Sequence, residues 1–347
     1  MGIPAIITAG DLRAARAVYG ESKVYLEVEG LPLVSRVVQV LQRVPEVTEV
    51  WVIGNAARLE SVLAAPEVQD GLVKPLHVIE QGRNLFENCW ESYRRALPGA
   101  PPEGRDPESD ADRAFQVLYL SGDLPFATAE EISSFVRDGQ QEECDYALGL
   151  VPKESLAGFL PLQDGGTGID VAYFNMREGR LRQSNLHLAR PGNMGARELI
   201  EEMYEHRHQK RVWNMVTLGA KLATHQGAGP RVVFWYSLIH MSGLLDRWSM
   251  PRLADWVRRA NTLARTERVL GRLLRARFRF VVTEVGGSAI DVDTEQEYDA
   301  VRERFQEWSA LQEQRAKAVC GRLPLGQSEG PSEGPSAAER TGSGQAG

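Results

Sequence analysis

Short runs of near-continuous apolar residues alternate along this chain with segments whose apolar residues recur at helical period, and few fold classes accommodate that order. The runs are "AIIT" near the start, "VWVI" with its flank around 51–53, "LHVIE", "FQVLYLS", "YALGLV" and "FRFVV". A strand that is apolar on both sides must be covered on both faces, the usual environment of a parallel sheet. The periodic segments supply the covers: 33–43, with Leu33, Val34, Val37, Val38 and Leu41 on one stripe, then 84–97, 128–138, 196–222, about 251–274 and 295–315. Capping boxes mark three of the starts, Thr128-x-x-Glu131, Thr294-x-x-Glu297 and, in looser form, Asn84-x-x-Glu87. The expected class is α/β, a mainly parallel sheet with helices on both faces. The stretch 195–275 breaks the alternation because it is almost wholly helical, and it reads as an insertion or subdomain against one edge.

Composition narrows the function. At 347 residues, 43% apolar and 25% charged, the chain suits a soluble globular protein of one large domain or two modest ones. A net charge of −7 argues against an electrostatic nucleic-acid binder, whose face would be strongly basic, while leaving room for a local basic pocket. Cys89, Cys144 and Cys320 lie far apart without CxxC spacing, so no disulfide framework or zinc site is expected and a reducing, cytoplasmic setting is the simplest reading. The opening "MGIPAIITAGD" lacks the basic and long apolar regions of a secretory signal. "RVVFWYSLIHMSGLLDRW" is interrupted by His240 and Ser242 and falls short of a membrane span, so no membrane partner is expected. Residues 98–112, rich in Pro, Gly and Asp, read as an exposed loop, and 319–347, with its SEGP repeat, as a disordered tail after a domain spanning 1–318.

Three stretches carry residues suited to chemistry. The first strand ends at Thr8 and releases a loop, 9–22, from its carboxyl end, where ligands of such sheets bind. Gly10 allows close backbone approach, and Arg13, Arg16 and Lys23 offer positive charge to phosphates; a surface turn with solvated basic residues is the alternative. No GxGxxG is present. In "FQVLYLSGDLPFAT" a buried strand delivers Asp123 from its end, although an Asp there can also serve a turn. In "AIDVDTEQEY", Asp291 and Asp293 share a face of an extended segment, and either could instead cap the helix that follows. Carboxylates at 123 and 293 can meet across strand ends and hold a hard cation that shares its shell with substrate phosphates.

Taken in order, these pieces resemble one family. "TAGDLRAARAVYGESKVYLEVEGLPLV" is similar to the signature loop and lysine of the MobA-like nucleotidyltransferases, roughly AAGxGxRM…PKxLxPVxGxPLL. "YLSGDLPFATAEEI" resembles that family's metal-aspartate segment and "DVDTEQEYDAV" its closing DVDTPEDL. The resemblance covers 1–150 and 276–305. It implies a Rossmann-like fold of the nucleotide-diphospho-sugar transferase type that binds a nucleoside triphosphate with Mg²⁺ and transfers its nucleotidyl group to a phosphorylated or similar small acceptor, releasing pyrophosphate. By position it implies Lys23, Arg16 and Asp123 as catalytic residues and Asp123 and Asp293 as metal ligands. Thr8, Ala9, Gly10 and Arg13 fall in the nucleotide loop. Gln81, Gly82 and Asn84 fall where base and ribose are recognised, with a strand end and helix cap as the alternative for Asn84. The loop departs from the pattern in Gly10-Asp11-Leu12-Arg13, where the second glycine is missing and an acid has appeared, and at Ser22, which stands before Lys23 instead of proline. Asp11 would repel a triphosphate unless it turns away or helps bind the metal.

The second half supplies Asn185, His187 and Lys210 as acceptor-binding candidates, beside Arg182, Arg190, Arg207 and Arg211. A solvated basic helix face is the alternative for 207–211, and His187 reads as an exposed residue on an edge strand rather than a catalytic acid. Two other functions compete: a glycosyltransferase using a nucleotide-sugar, since Asp291-Val292-Asp293 is a DxD, and a catalytically silent nucleotide-binding protein. The apolar helices of 195–275 could serve the core or a homodimer contact.

Overall fold

The expected strands form one sheet, and their residue types explain its faces. The computed structural model describes residues 2–11, 17–161, 166–195 and 261–321. In chain order the elements are β1 (Ile3–Ala9), the small ladders β2 (Ala17–Val18) with β3 (Glu21–Ser22) and β4 (Glu27–Val28) with β5 (Leu31–Pro32), α1 (Leu33–Gln42), β6 (Val47–Gly54), α2 (Ala56–Leu63) and α3 (Pro66–Gln69). There follow β7 (Leu76–Glu80), α4 (Leu85–Ala96), α5 (Asp110–Ala114), β8 (Val117–Ser121), α6 (Ala129–Gln141) and β9 (Tyr146–Pro152). The last are β10 (Phe174–Asn175), β11 (Arg180–Ala189), α7 (Leu263–Leu274), β12 (Phe278–Val282) and α8 (Glu295–Val319).

The main sheet runs β12-β9-β11-β8-β1-β6-β7, with β10 paired to β11. β1 lies parallel to β6 and β8, β6 to β7, and β9 to β12. Alternate residues of each strand serve opposite layers. Ala5, Ile7, Val50, Val52, Leu118 and Leu120 pack on α1 through Val34, Val37, Val38 and Leu41 and on α6 through Ile132, Phe135 and Val136. Ile6, Ile53 and Tyr119 face the other way, toward Tyr93 of α4. A third cluster, at the start of α8, joins Phe126, Phe159, Ile290, Val292, Tyr298, Phe305 and Trp308. Trp308 is fully buried there, edge-on to Phe126 and Phe159, so truncating it to Ala would cost about 3–5 kcal/mol.

Two expectations change. β11 is antiparallel to both β8 and β9 and sits inside the sheet, so His187 is on an interior strand, half-buried, rather than exposed at an edge. Its polar sequence misleads because Arg182 and Asn185 bind the 288–291 segment instead of solvent. Gly149 opposite it admits Ser184, whose Oγ would lie 2.1 Å from a Cβ at that position. The 98–112 stretch is mostly exposed but built: Arg105 grips Asp112 at 2.8 and 2.7 Å, Ser109 and Asp112 form a capping box, and Tyr93 Oη donates to the Asp112 carbonyl at 2.6 Å. The region 196–260 and the residues after 321, which hold most of the expected helical insertion and tail, lie outside the described residues.

Candidate nucleotide site

The carboxyl ends of β1 and β8 are tied together first. Thr8 Oγ1 donates to the Leu120 carbonyl at 3.2 Å, and the Gly122 N–H donates to the Thr8 carbonyl at 3.0 Å, extending the pairing past Ser121. Gly122 sits in a tight place: a Cβ there would press on Val24 and Ile7 at 3.2 and 3.3 Å. The chain then presents Asp123, whose carboxylate also accepts a hydrogen bond from Ser121 Oγ. A short 3-10 turn, Lys23–Tyr25, buries Val24 and Tyr25 and turns Lys23 onto the same spot.

The third segment of the constellation comes from just before α8. Thr294 caps α8, with Glu297 N–H donating to Thr294 Oγ1 at 3.2 Å while Glu297 accepts from the Asp293 and Thr294 N–H groups at 2.7 and 2.9 Å. That capping box sets Asp293 just outside the helix, and Val292, fully buried, anchors the segment from behind. Arg182 of β11 donates to the Ala289 carbonyl at 2.6 Å and to Asp291 at 2.8 Å, and Asn185 donates to the Ser288 carbonyl at 3.3 Å. Glu131, fully buried on α6, accepts from the Ser288 N–H and from Ser288 Oγ, the latter at 2.5 Å. α6 follows Asp123 closely, so Glu131 and Ser288 lock the two aspartate-bearing segments together.

The result is one lysine among carboxylates. Lys23 Nζ lies 3.3 Å from Asp123 and also contacts Asp293 directly. Exposure grades from the floor outward: the side chains of Asp123, Lys23 and Asp293 are 8%, 17% and 51% exposed. Burial alone would lower the Lys23 pKa, but Asp123, Asp293 and Asp291 outweigh it and raise it, so the ammonium is held charged. Burial pushes the Asp291 carboxyl up, and Asp123 and Asp293 push it further against the pull of Arg182 and Lys23. Among the described residues no three acidic, His or Cys side chains form a ready-made metal cage. Two carboxylates of different exposure beside one ammonium fit a hard cation that takes its remaining oxygens from phosphate and water.

The neighbouring strand ends form a second cluster. Gly54 ends β6 beside β1, where a Cβ would lie 2.4 Å from the Ala9 carbonyl, and Ala9 itself is fully buried. The Asp11 N–H donates to Gln81 Oε1 at 3.0 Å, and Gln81 Nε2 donates to Asp11 Oδ1 at 2.5 Å. Gly10 lies against the same amide, a Cβ there meeting Gln81 Oε1 at 3.1 Å. The Gly82 N–H is taken by Asn88 Oδ1 at 2.7 Å, and Asn84 Oδ1 caps α4 through the Glu87 N–H at 2.8 Å. Asn84 therefore serves as the helix cap that was its alternative reading. A cavity of about 420 Å³ lined by residues such as Leu63, Gln69, Lys74 and Leu76 shares no residue with either cluster.

Of the expected site residues, the structure brings Lys23, Asp123 and Asp293 together and places Thr8, Ala9, Gly10, Gln81 and Gly82 beside them at adjacent strand ends. Arg13, Arg16, Lys210, Arg207 and Arg211 lie outside the described residues. The acceptor candidates are employed otherwise: Asn185 straps the 288–291 segment, and His187 Nδ1 shares a hydrogen bond with Tyr146 Oη at 2.6 Å. Burial pushes His187 down to about 4, so it is neutral near pH 7. Ser121, Glu131 and Ser288 escaped sequence reasoning. The one available signal, Glu131 three residues after Thr128, pointed to a reciprocal cap, whereas its carboxyl turns to Ser288.

Known proteins resemble this chain in sequence and in fold. A curated relative, the 2-C-methyl-D-erythritol 4-phosphate cytidylyltransferase of Chlorobium luteolum (strain DSM 273 / BCRC 81028 / 2530), is 29% identical over 118 residues, 34% of this chain and 46% of the relative. The chain thus spans about half the length of that relative. Among solved structures, a hypothetical transferase from Thermus thermophilus shares the fold, with TM-score 0.56 and 21% identity over 86% of this chain and 100% of that one. A model of the MobA-like NTP transferase domain matches residues 5–216, more than half of the 347. The chain belongs to the MobA-like NTP transferase family.

Proposed function

We propose that the protein is a Mg²⁺-dependent nucleotidyltransferase that moves a nucleoside monophosphate from a triphosphate to a phosphorylated or similar small acceptor and releases pyrophosphate. The observation that carries this reading is the Lys23 ammonium set between Asp123 and Asp293 at the carboxyl ends of the sheet. In open α/β sheets that is where ligands bind. Asp123 and Asp293 would hold the cation, which supplies charge neutralisation to the triphosphate and makes its α-phosphorus easier to attack.

The chain's own groups do the rest. An acceptor oxygen attacks the α-phosphorus, forming the new P–O bond as the bond to pyrophosphate breaks. Negative charge then builds on oxygens within reach of Lys23, which is kept protonated by the surrounding carboxylates. An acceptor that is already anionic needs no strong general base, consistent with His187 being neutral and bonded to Tyr146.

Thermal melting with ATP, GTP, CTP and UTP, each with and without Mg²⁺, tests the reading on wild type, Asp123→Ala and Asp293→Ala. A triphosphate at 100 times its dissociation constant should add about 2.7 kcal/mol of stability. The expected result is a Mg²⁺-dependent shift lost in both variants. No shift with any triphosphate, or one indifferent to Mg²⁺ and to both carboxylates, would overturn it.

A further inference from the structure

We propose that Asp11 is a specificity-positioning residue: it fixes the direction of the Gln81 amide and so governs which nucleobase the site prefers. The proposal rests on the nucleotide reading above and goes beyond it, since it gives a role to an acid that this reading leaves without one.

The two hydrogen bonds between Asp11 and Gln81 have opposite polarity. Backbone Asp11 N–H donates to Gln81 Oε1, and Gln81 Nε2 donates back to the Asp11 carboxylate. Turning the amide over would set its NH₂ against an N–H and its oxygen against a carboxylate, so only one orientation survives. This settles Gln81 in a way its own chain position cannot. After both bonds, Oε1 keeps a lone pair and Nε2 keeps one N–H, a donor and an acceptor in fixed order.

That pair stands where a base could read it. The Gln81 N–H donates to the Gly54 carbonyl at 2.8 Å, extending the β6–β7 ladder, and its amide lies over Gly10 at the end of β1. Beside it, the Gly82 N–H is spent on Asn88 and the Asn84 oxygen on the cap of α4. Of these three positions, Gln81 is the one whose side-chain amide is fixed by two hydrogen bonds of opposite polarity. Nucleobases differ in the order of donors and acceptors along their edges, so the direction of a single rigid amide discriminates among them. The same two bonds answer the charge problem at position 11, because the carboxylate is turned onto Gln81. A glycine at that position would keep the N–H bond and lose the one that orients Nε2.

The test measures the dissociation constants of ATP, GTP, CTP and UTP, with Mg²⁺, for wild type, Asp11→Ala, Asp11→Asn and Gln81→Ala, after confirming that all four melt cooperatively. The wild type should prefer one triphosphate, and Asp11→Ala should reduce the ratio of the best to the next about tenfold, the worth of one well-placed hydrogen bond. Asp11→Asn, which keeps an oxygen for Nε2, should restore the ratio to within about twofold, and Gln81→Ala should collapse it as Asp11→Ala does. An equal change in all four affinities, or an unchanged ratio, overturns the proposal while leaving the nucleotide reading intact. If the wild type binds none of the four, the nucleotide reading itself falls and the proposal with it.

Discussion

Substituting Glu131 by Gln keeps the shape of the side chain, removes its ability to ionise and exchanges one carboxyl oxygen for an NH₂ group. Glu131 is fully buried, and the Ser288 N–H approaches its two oxygens at 3.3 and 3.1 Å. Burial pushes its carboxyl from an ordinary 4.5 up to about 8, against the opposing pull of the Ser288 and Thr128 donors. Between pH 4.5 and about 8 the folded chain therefore keeps a proton that the unfolded chain has already released. The sign follows from linkage: where the folded state binds more protons, stability falls as pH rises. The stability associated with the neutral carboxyl is complete below pH 4.5 and is lost progressively up to about pH 8. At ~1.4 kcal/mol per pH unit, the loss across that interval is about 5 kcal/mol. Other titrating groups act equally on both proteins and cancel in the difference. Urea unfolding of wild type and Glu131→Gln at pH 4.5, 6, 7 and 8 should show the variant gaining on the wild type by about that amount across the range. A difference that stays constant within ~1 kcal/mol would mean that the carboxyl is not held neutral, and the reasoning would fail.

Three other outcomes are expected. Lys23→Ala leaves Asp123, Asp291 and Asp293 without the ammonium between them, and steady-state turnover should fall by about 10²-fold or more; turnover within a factor of about two of wild type would remove Lys23 from the chemistry. Gly287→Ala would place a Cβ 1.9 Å from the Phe126 carbonyl and force the two segments apart, so the melting temperature should drop by the equivalent of about 2–3 kcal/mol. Arg105→Ala frees the Asp112 carboxylate, which Arg105 and the 108–109 backbone hold well below its usual range, and limited proteolysis should then cut within 98–109 faster than in wild type.

The sheet was legible because burial on both faces leaves a compositional trace. β1, β6, β7, β8, β9 and β12 coincide with the apolar runs, and α1, α4, α6 and α8 with the periodic stripes. β11 left no such trace. Its Arg182, Gln183, Ser184 and Asn185 look solvated, yet the strand lies between β8 and β9, with two of those side chains reaching to the 288–291 segment more than 100 residues away. Local pattern records what a strand's neighbours are on average, and it cannot record that one polar side chain has a distant partner. The same holds for Glu131, whose sequence position promised a helix cap and whose carboxyl went to Ser288.

The candidate site divides along the same line. Lys23, Asp123 and Asp293 were readable because each sits at an element boundary that fixes its direction: the start of the turn at 23–25, the stretch just past β8 and the residue before the cap of α8. Asp11 was readable only as a discrepancy, an acid where a triphosphate would want none. Its meaning depends on Gln81, 70 residues on, and on β1, β6 and β7 lying in register so that Ala9, Gly54 and Gln81 end side by side. Once that register exists, the acid has a donor to hold it, and it ties the loop after β1 to the segment after β7. A departure of this kind is compensated through tertiary contact, so removing Asp11 alone should disturb discrimination among triphosphates more than it disturbs the fold.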